Sequence, residues 1–226
     1  MIKFTYYGHS CFGIDINGSQ VLLDPFISPN PLAREIDIAK IQADVIFLTH
    51  GHRDHVSDLE KIATENTTIV ANFEVASWFG KKGYNTEGMN QGGTWSGDFG
   101  SVRLVNAIHS SSLPDGSYGG NPLGFVFMTS DLTFYVAGDT ALTLDMKLIS
   151  DLCGKVDLAI LPIGGHFTMD AKDAIMAARM VNTSKVIGCH YDTFVPIEID
   201  HDRTRQIFEE AGIQLKLPVI GEQFTF

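Results

Sequence analysis

Six apolar runs in this chain each deliver a histidine or an aspartate at their carboxyl end, and that pattern limits what the chain can fold into. FTYYG leads to His9, VIFLT to His50, VRLVNAI to His109, TFYVAG to Asp139, LAILPIGG to His166 and KVIGC to His190. Short apolar runs of this length read as buried strands. A strand end is a rigid place from which a polar side chain can face an open cleft, and parallel strands present such ends on one edge of a sheet. A single strand ending in His would carry little weight. Six allow the residues to converge.

The rest of the chain supplies matching helices. Phe12 to Ile16 and Gln20 to Leu23 alternate around Asn17-Gly18, a strong hairpin signal. Ser57-Asp58-Leu59-Glu60 has the form of a capping box, with Ser57 as N-cap and Glu60 reaching back. Further helices are expected over Glu74 to Lys82, Leu142 to Leu152, Ala171 to Val181 and Arg203 to Ala211, and further strands over Thr68 to Asn72 and Gly124 to Met128. A last strand or hairpin is expected over Gln214 to Phe226. Strands come first and then alternate with helices, which predicts a layered α/β domain with helices outside buried sheets. No linker or repeat divides the chain, so residues 1–226 are read as one domain.

The densest segment is His50-Gly51-His52-Arg53-Asp54-His55, with four candidate ligands between a buried strand and a capped helix. Imidazoles suit zinc, iron or manganese, and a carboxylate can bridge two ions. Ligation is the best-attested use of clustered histidine. Charge narrows the partners. With 16 Lys plus Arg against 27 Asp plus Glu, the net charge of −11 repels nucleic-acid phosphates, and two divalent ions would leave it near about −7. Three cysteines and no C-x-x-C fit a reducing compartment. No run approaches the roughly 20 apolar residues of a membrane span, and MIKFTYYGHSCF lacks the apolar segment of a signal peptide. The expectation is a cytoplasmic protein acting on a small molecule, away from nucleic acid and membrane, with a homo-oligomer left open.

His50 to His55 matches the H-x-H-x-D-H signature, followed in order by His109, Gly138-Asp139-Thr140 and His190. On these residues the chain resembles the metallo-β-lactamase superfamily. Gly8-His9-Ser10 and Leu161-Pro162-Ile163-Gly164-Gly165 resemble the branch of metal-dependent hydrolases related to L-ascorbate-6-phosphate lactonase; relatives in that branch often carry Asn where this chain has His166. The resemblance implies a four-layer αββα sandwich with two divalent ions at one edge, zinc first and manganese or iron as alternatives. It implies His50, His52 and His109 for the first ion, Asp54, His55 and His190 for the second, and Asp139 as the bridge. It further implies hydrolysis by a hydroxide held on the metal pair, attacking a carbonyl or phosphoryl centre of a lactone, ester, amide or phosphodiester.

Asp54 has two candidate duties, ligand first and orienter of the attacking water second. His9 and His166 are candidates to recognise substrate or protonate a leaving group, with a supporting or core role as the alternative. Asp24 could brace the metal loop or cap a turn. Tyr191 could line the cleft or pack in the core. Ser110 to Asn121 could form a lid or an ordinary connection. Gly-x-Ser-x-Gly is missing, which argues against a serine hydrolase. A nuclease and a non-catalytic metal-binding protein are the competing readings.

Overall fold

The computed structural model describes residues 2–225. The first sheet is built from β1 (Ile2–Gly8), β2 (Cys11–Ile16), β3 (Ser19–Leu23) and β4 (Val45–Phe47). After the short helices α1 (Arg53–Val56) and α2 (Leu59–Ile62) come β5 (Thr68–Asn72), α3 (Phe73–Gly80) and β6 (Thr86–Met89). The chain then passes to the second sheet through β7 (Thr94–Gly97), β8 (Gly100–Asn106), β9 (Leu123–Met128) and β10 (Thr133–Val136). It continues with α4 (Lys147–Cys153), β11 (Leu158–Pro162), α5 (Ala171–Met180), β12 (Lys185–Cys189), α6 (His201–Glu210), β13 (Gln214–Lys216) and β14 (Gln223–Phe224). The strand orders are β14-β1-β2-β3-β4-β5-β6 and β13-β12-β11-β10-β9-β8-β7.

Side-chain alternation turns these two sheets into four layers. Along β4, Val45 and Phe47 face the other sheet while Ile46 faces the helices. Along β11, Leu158 and Ile160 point inward and Ala159 and Leu161 outward. Three apolar clusters result: one between the sheets, one under α1 to α3 and one under α4 to α6. Three interfaces require four layers, so the fold is the αββα sandwich of the metallo-β-lactamase type. Aromatic rings fill the central interface. Phe47 packs edge-on against Trp95, Phe125 and Phe127 at 5.4, 5.3 and 5.1 Å between ring centres, and Phe127 stacks on Phe134 at 4.6 Å.

Direction matters more than composition for the site. β3 to β6 are parallel, and β1, antiparallel to β2, runs the same way as β3. In the other sheet β8 and β10 to β13 share one direction. The amide of Leu123 donates to the Thr49 carbonyl at 2.9 Å, and that of His190 to the His9 carbonyl at 2.8 Å. These bonds join the sheets at the edge where β1, β4, β10 and β12 end.

Two local expectations are corrected. Ser57 does not cap a helix; its hydroxyl bonds the Arg53 carbonyl and closes α1, while Glu60 pairs with Lys82 instead of reaching back. The carboxyl-terminal segment is no hairpin: β13 pairs with β12 and β14 with β1, in opposite sheets. Phe226 lies outside the described residues. The edge strands β6 and β7, TEGM and TWSG, carry no apolar alternation and form on the hydrogen bonds offered by β5 and β8.

Candidate metal centre

All seven residues of the implied ligand sets meet at this joined edge, although they come from four separated loops. The loop after β4 brings His50, His52, Asp54 and His55. Gly51 is required within it, because a Cβ there would lie 2.9 Å from the Ser112 carbonyl oxygen. Asp139 is presented by a sharp turn after β10. Gly138 has φ +64°, and a Cβ there would fall 2.5 Å from the Leu123 carbonyl oxygen. Only glycine fits that position. His9, Asp24 and His190, at the ends of β1, β3 and β12, are themselves left-handed, with φ of 55°, 40° and 55°. Each such residue costs about 1–2 kcal/mol relative to ordinary backbone, so the surrounding sheets hold them there.

One set of nitrogens comprises His50, His52 and His109; a second set comprises Asp54, His55 and His190 joined by His9; in each, the candidate donor atoms lie within 4.8 Å of one another. Asp139 stands between the sets. Its Oδ2 is 3.0 Å from His190 Nε2, 3.3 Å from His55 Nε2 and 3.7 Å from His109 Nε2. His50 Nε2 and His52 Nδ1 are 2.9 Å apart.

A buried carboxylate behind the site fixes which nitrogen of each ring faces it. Asp24 Oδ1 accepts the Thr49 amide at 2.8 Å, and Oδ2 accepts the Thr49 hydroxyl at 2.7 Å and His55 Nδ1 at 2.8 Å. With its proton given to Asp24, the Thr49 oxygen accepts from His50 Nδ1 at 3.0 Å. Both His50 and His55 therefore carry a proton on Nδ1 and turn Nε2 inward. Such outer hydrogen bonds set tautomer and ring orientation in metal sites. Of the two roles open to Asp24, the geometry supports bracing. Thr49, the link between Asp24 and His50, was not singled out from the sequence; a hydroxyl beside a buried strand-end histidine is the signal that identifies it.

The electrostatics suit cations. Burial holds His50 well below the ordinary imidazole range, with His55 adding to the effect, and burial likewise lowers His52 and His109. Neutral imidazole is the ligating form. Burial opposes ionisation of Asp139, but His190 and His55 outweigh it and hold the carboxyl well below its usual range. Burial also opposes protonation of His55, yet Asp139 and Asp24 together raise it well above the usual range. His55 Nε2, Asp139 Oδ1 and His190 Nδ1 are buried without a hydrogen-bond partner. Orphaned buried donors and acceptors are expensive, and a divalent cation satisfies N and O donors of this kind. The residues fit the metals that the resemblance implies.

Above the donors lies a cleft of about 260 Å³ lined by His52, Asp54, His109, Ser110, Asp139, Phe167 and His190. Phe167 is half exposed at its rim. His166 is exposed on the same loop, its ring edge-on to Phe167 at 4.5 Å, and belongs to neither donor set. Tyr191 packs in the cluster under the outer helices. Residues 110–121 hold themselves and the metal loop in place. Ser111 Oγ accepts the Gly51 amide at 3.1 Å and donates to the Gly119 carbonyl at 2.8 Å, and Asn72 Nδ2 donates to the Gly119 and Asn121 carbonyls. From this segment only Ser110 lines the cleft, so the structure favours a buttress over a lid. The three thiols are free, and among the described residues no helix is long and apolar enough to cross a membrane.

Comparison with known proteins agrees with this geometry. A family model described as the β-lactamase superfamily domain matches residues 3–190. The chain is 53% identical over 222 residues to a UPF0173 metal-dependent hydrolase of Flavobacterium johnsoniae, covering 98% of both chains. It is 40% identical over 214 residues to one from Thermus thermophilus, covering 95% of this chain and 94% of that one. Among solved structures it is similar to Igni18, a metallo hydrolase of the archaeon Ignicoccus hospitalis, with 33% identity, TM-score 0.87 and coverage of 100% and 99%.

Proposed function

The chain belongs to the metal-dependent hydrolases of the β-lactamase superfamily, and on that premise we propose that it hydrolyses a small neutral or weakly charged molecule at a pair of divalent ions. His50, His52 and His109 would hold the first ion, Asp54, His55 and His190 the second, and Asp139 would serve both. The single observation that carries this reading is the position of Asp139 Oδ2, within 3.0–3.7 Å of nitrogens from both sets. A carboxylate so placed could serve both ions. Zinc is the first choice for a site so rich in imidazole, with manganese or iron as alternatives.

Bound divalent ions supply two things there, a water acidified to a pKa of about 7 and polarisation of the electrophile's oxygen. The chain's own residues do the rest. Asp54, on the cleft wall with its side chain 28% exposed, would act as ligand first, with orientation of the attacking water as its second candidate duty. His166, exposed beside Phe167, would be the candidate to recognise substrate or protonate a leaving group. The cleft volume lies below the 300–1,000 Å³ typical of drug-sized ligands, which favours a compact lactone, ester or amide. None of the described residues lining it is Lys or Arg, and with a net charge of −11 this weighs against a nucleic-acid substrate. The free thiols support a cytoplasmic setting.

Elemental analysis of purified protein tests the reading, with two metals per chain expected and their loss expected in the His50→Ala, Asp139→Ala double variant. A hydrolysis screen over lactones, esters, amides and phosphodiesters follows, with single-stranded RNA at low salt as the nuclease arm. Hydrolysis by metal-free protein in the presence of chelator would overturn it.

A further inference from the structure

His9 lies inside the second donor set, yet its surroundings give it a different task from its neighbours. Nδ1 is 3.0 Å from Thr193 Oγ1 and Nε2 is 3.1 Å from Asp54 Oδ2. The ring is sealed among Phe26, Phe194 and the His190 ring, and the residue is 1% exposed. We propose that His9 is a positioning residue which donates its Nε2 proton to Asp54 Oδ2, so that Asp54 presents Oδ1 to the second metal, and that His9 itself is not a ligand. This rests on the two-metal reading above.

The assignment follows from what the two ring nitrogens face. An ionised carboxylate only accepts, and the contact at Nε2 therefore needs the proton there. Nδ1 faces the Thr193 hydroxyl at 3.0 Å, and that hydroxyl is available to donate to it, because its alternative acceptor, the Tyr191 carbonyl, is 3.4 Å away. The chain is Thr193 hydroxyl to His9 Nδ1, then His9 Nε2–H to Asp54. A metal needs a lone pair, and the lone pair of this ring points at Thr193.

His9 is also left-handed at φ 55°, and this allows the donor role to be separated from a structural one. Asn tolerates left-handed backbone best, but its short amide imitates Nδ1. Gln places an N–H donor where Nε2 was, on a backbone less suited to it. A structural role favours His9→Asn; the donor role favours His9→Gln. The experiment is competitive titration of the metal-stripped proteins with zinc against a chromophoric chelator, with thermal unfolding of the same stripped samples. His9→Ala and His9→Asn are expected to weaken one of the two sites by about 10–100-fold, as loss of an outer hydrogen bond does, and His9→Gln to recover it to within about threefold of wild type. Thr193→Val, which frees Nδ1, is expected to weaken the same site. Unchanged zinc binding in His9→Ala, or Gln no better than Asn, would overturn the proposal. A wild-type chain that binds fewer than two zinc ions would remove the two-metal reading itself, a distinct failure.

Discussion

Replacing Asp24 by Asn isolates what the buried carboxylate does, because the side chain keeps its shape and its tolerance of φ 40°. The amide oxygen can still accept the Thr49 amide, as Asp24 Oδ1 does at 2.8 Å. The amide nitrogen, however, now faces two groups that were donors, the Thr49 hydroxyl and His55 Nδ1, at 2.7 and 2.8 Å. Thr49 can rotate and become an acceptor. His55 has one way to oblige, which is to give up the proton on Nδ1 and keep the one on Nε2. In the metal-free protein that change is mild, since Nε2–H still meets Asp139 Oδ2 across the present 3.3 Å. Stability should therefore fall by only about 1 kcal/mol, the net worth of one hydrogen bond. For metal binding the same change is severe, because the lone pair that should reach the cation is blocked. Affinity at the His55 site should drop by roughly 10–100-fold, about 1.4–2.7 kcal/mol. Zinc titration against a chelator measures the first quantity, chelator-treated thermal unfolding the second, and nitrogen-detected NMR of the imidazoles reads the tautomer. Unaltered zinc affinity, or His55 still protonated on Nδ1 in the variant, would refute the reasoning.

Other expectations follow from the same geometry. Gly138→Ala should destabilise the protein by about 2–4 kcal/mol, since left-handed strain adds to a Cβ clash at 2.5 Å. Gly18→Ala, left-handed at φ +100° but with nothing within 4 Å, should cost only about 1–2 kcal/mol in the same urea titration. Asp58 accepts the Ile27 and Ser28 amides at 2.7 Å each and pairs with Lys61 at 2.9 Å. Burial opposes its ionisation, but these partners hold its pKa below the ordinary carboxyl value. Its contribution is thus complete above the unfolded pKa of about 3.9 and fades as pH falls through the lower folded value. Asp58→Asn should accordingly lose about 1–3 kcal/mol at pH 7 and noticeably less at pH 3, compared by urea unfolding at both. Removing both ions from the wild type with a chelator should lower Tm by roughly 10–20 °C if each is present at about 100 times its Kd, about 2.7 kcal/mol per ion.

The site was more legible in the sequence than some of the scaffold. A histidine at the end of an apolar run advertises itself, because the run fixes both strand and direction; β4 and His50, β8 and His109, and β12 and His190 all follow that logic. Phe167 was not legible, since one aromatic after His166 says nothing about which of the two turns toward the cleft. Thr193 was hidden for a related reason, as its meaning exists only once a residue 184 positions earlier stands beside it. The edge strands β6 and β7 are polar and short, and they exist because a neighbour offers a ladder, which local pattern cannot reveal. β13 and β14 misled in the opposite way. Two adjacent strand-like segments suggest a hairpin, but residues 217–222 carry the chain from one sheet to the other.

The strained turns and the unsatisfied donors belong to one arrangement. His9, Asp24 and His190 occupy left-handed backbone, while His50 Nε2 faces His52 Nδ1 and three further polar atoms lack partners. A chain free to relax would separate these groups and hydrate them. It is held by β4 and its neighbours, whose Phe47 is locked among Trp95, Phe125 and Phe127. Burying side chains of that size contributes about 1.5–3 kcal/mol each, so a few such rings outweigh several strained residues at about 1–2 kcal/mol. Stability supplied by the sheets is thereby spent on keeping lone pairs aimed at a common centre before any cation arrives. A site preorganised in this way loses little conformational entropy on binding, which suits candidate donors carried on short loops that are anchored at strand ends.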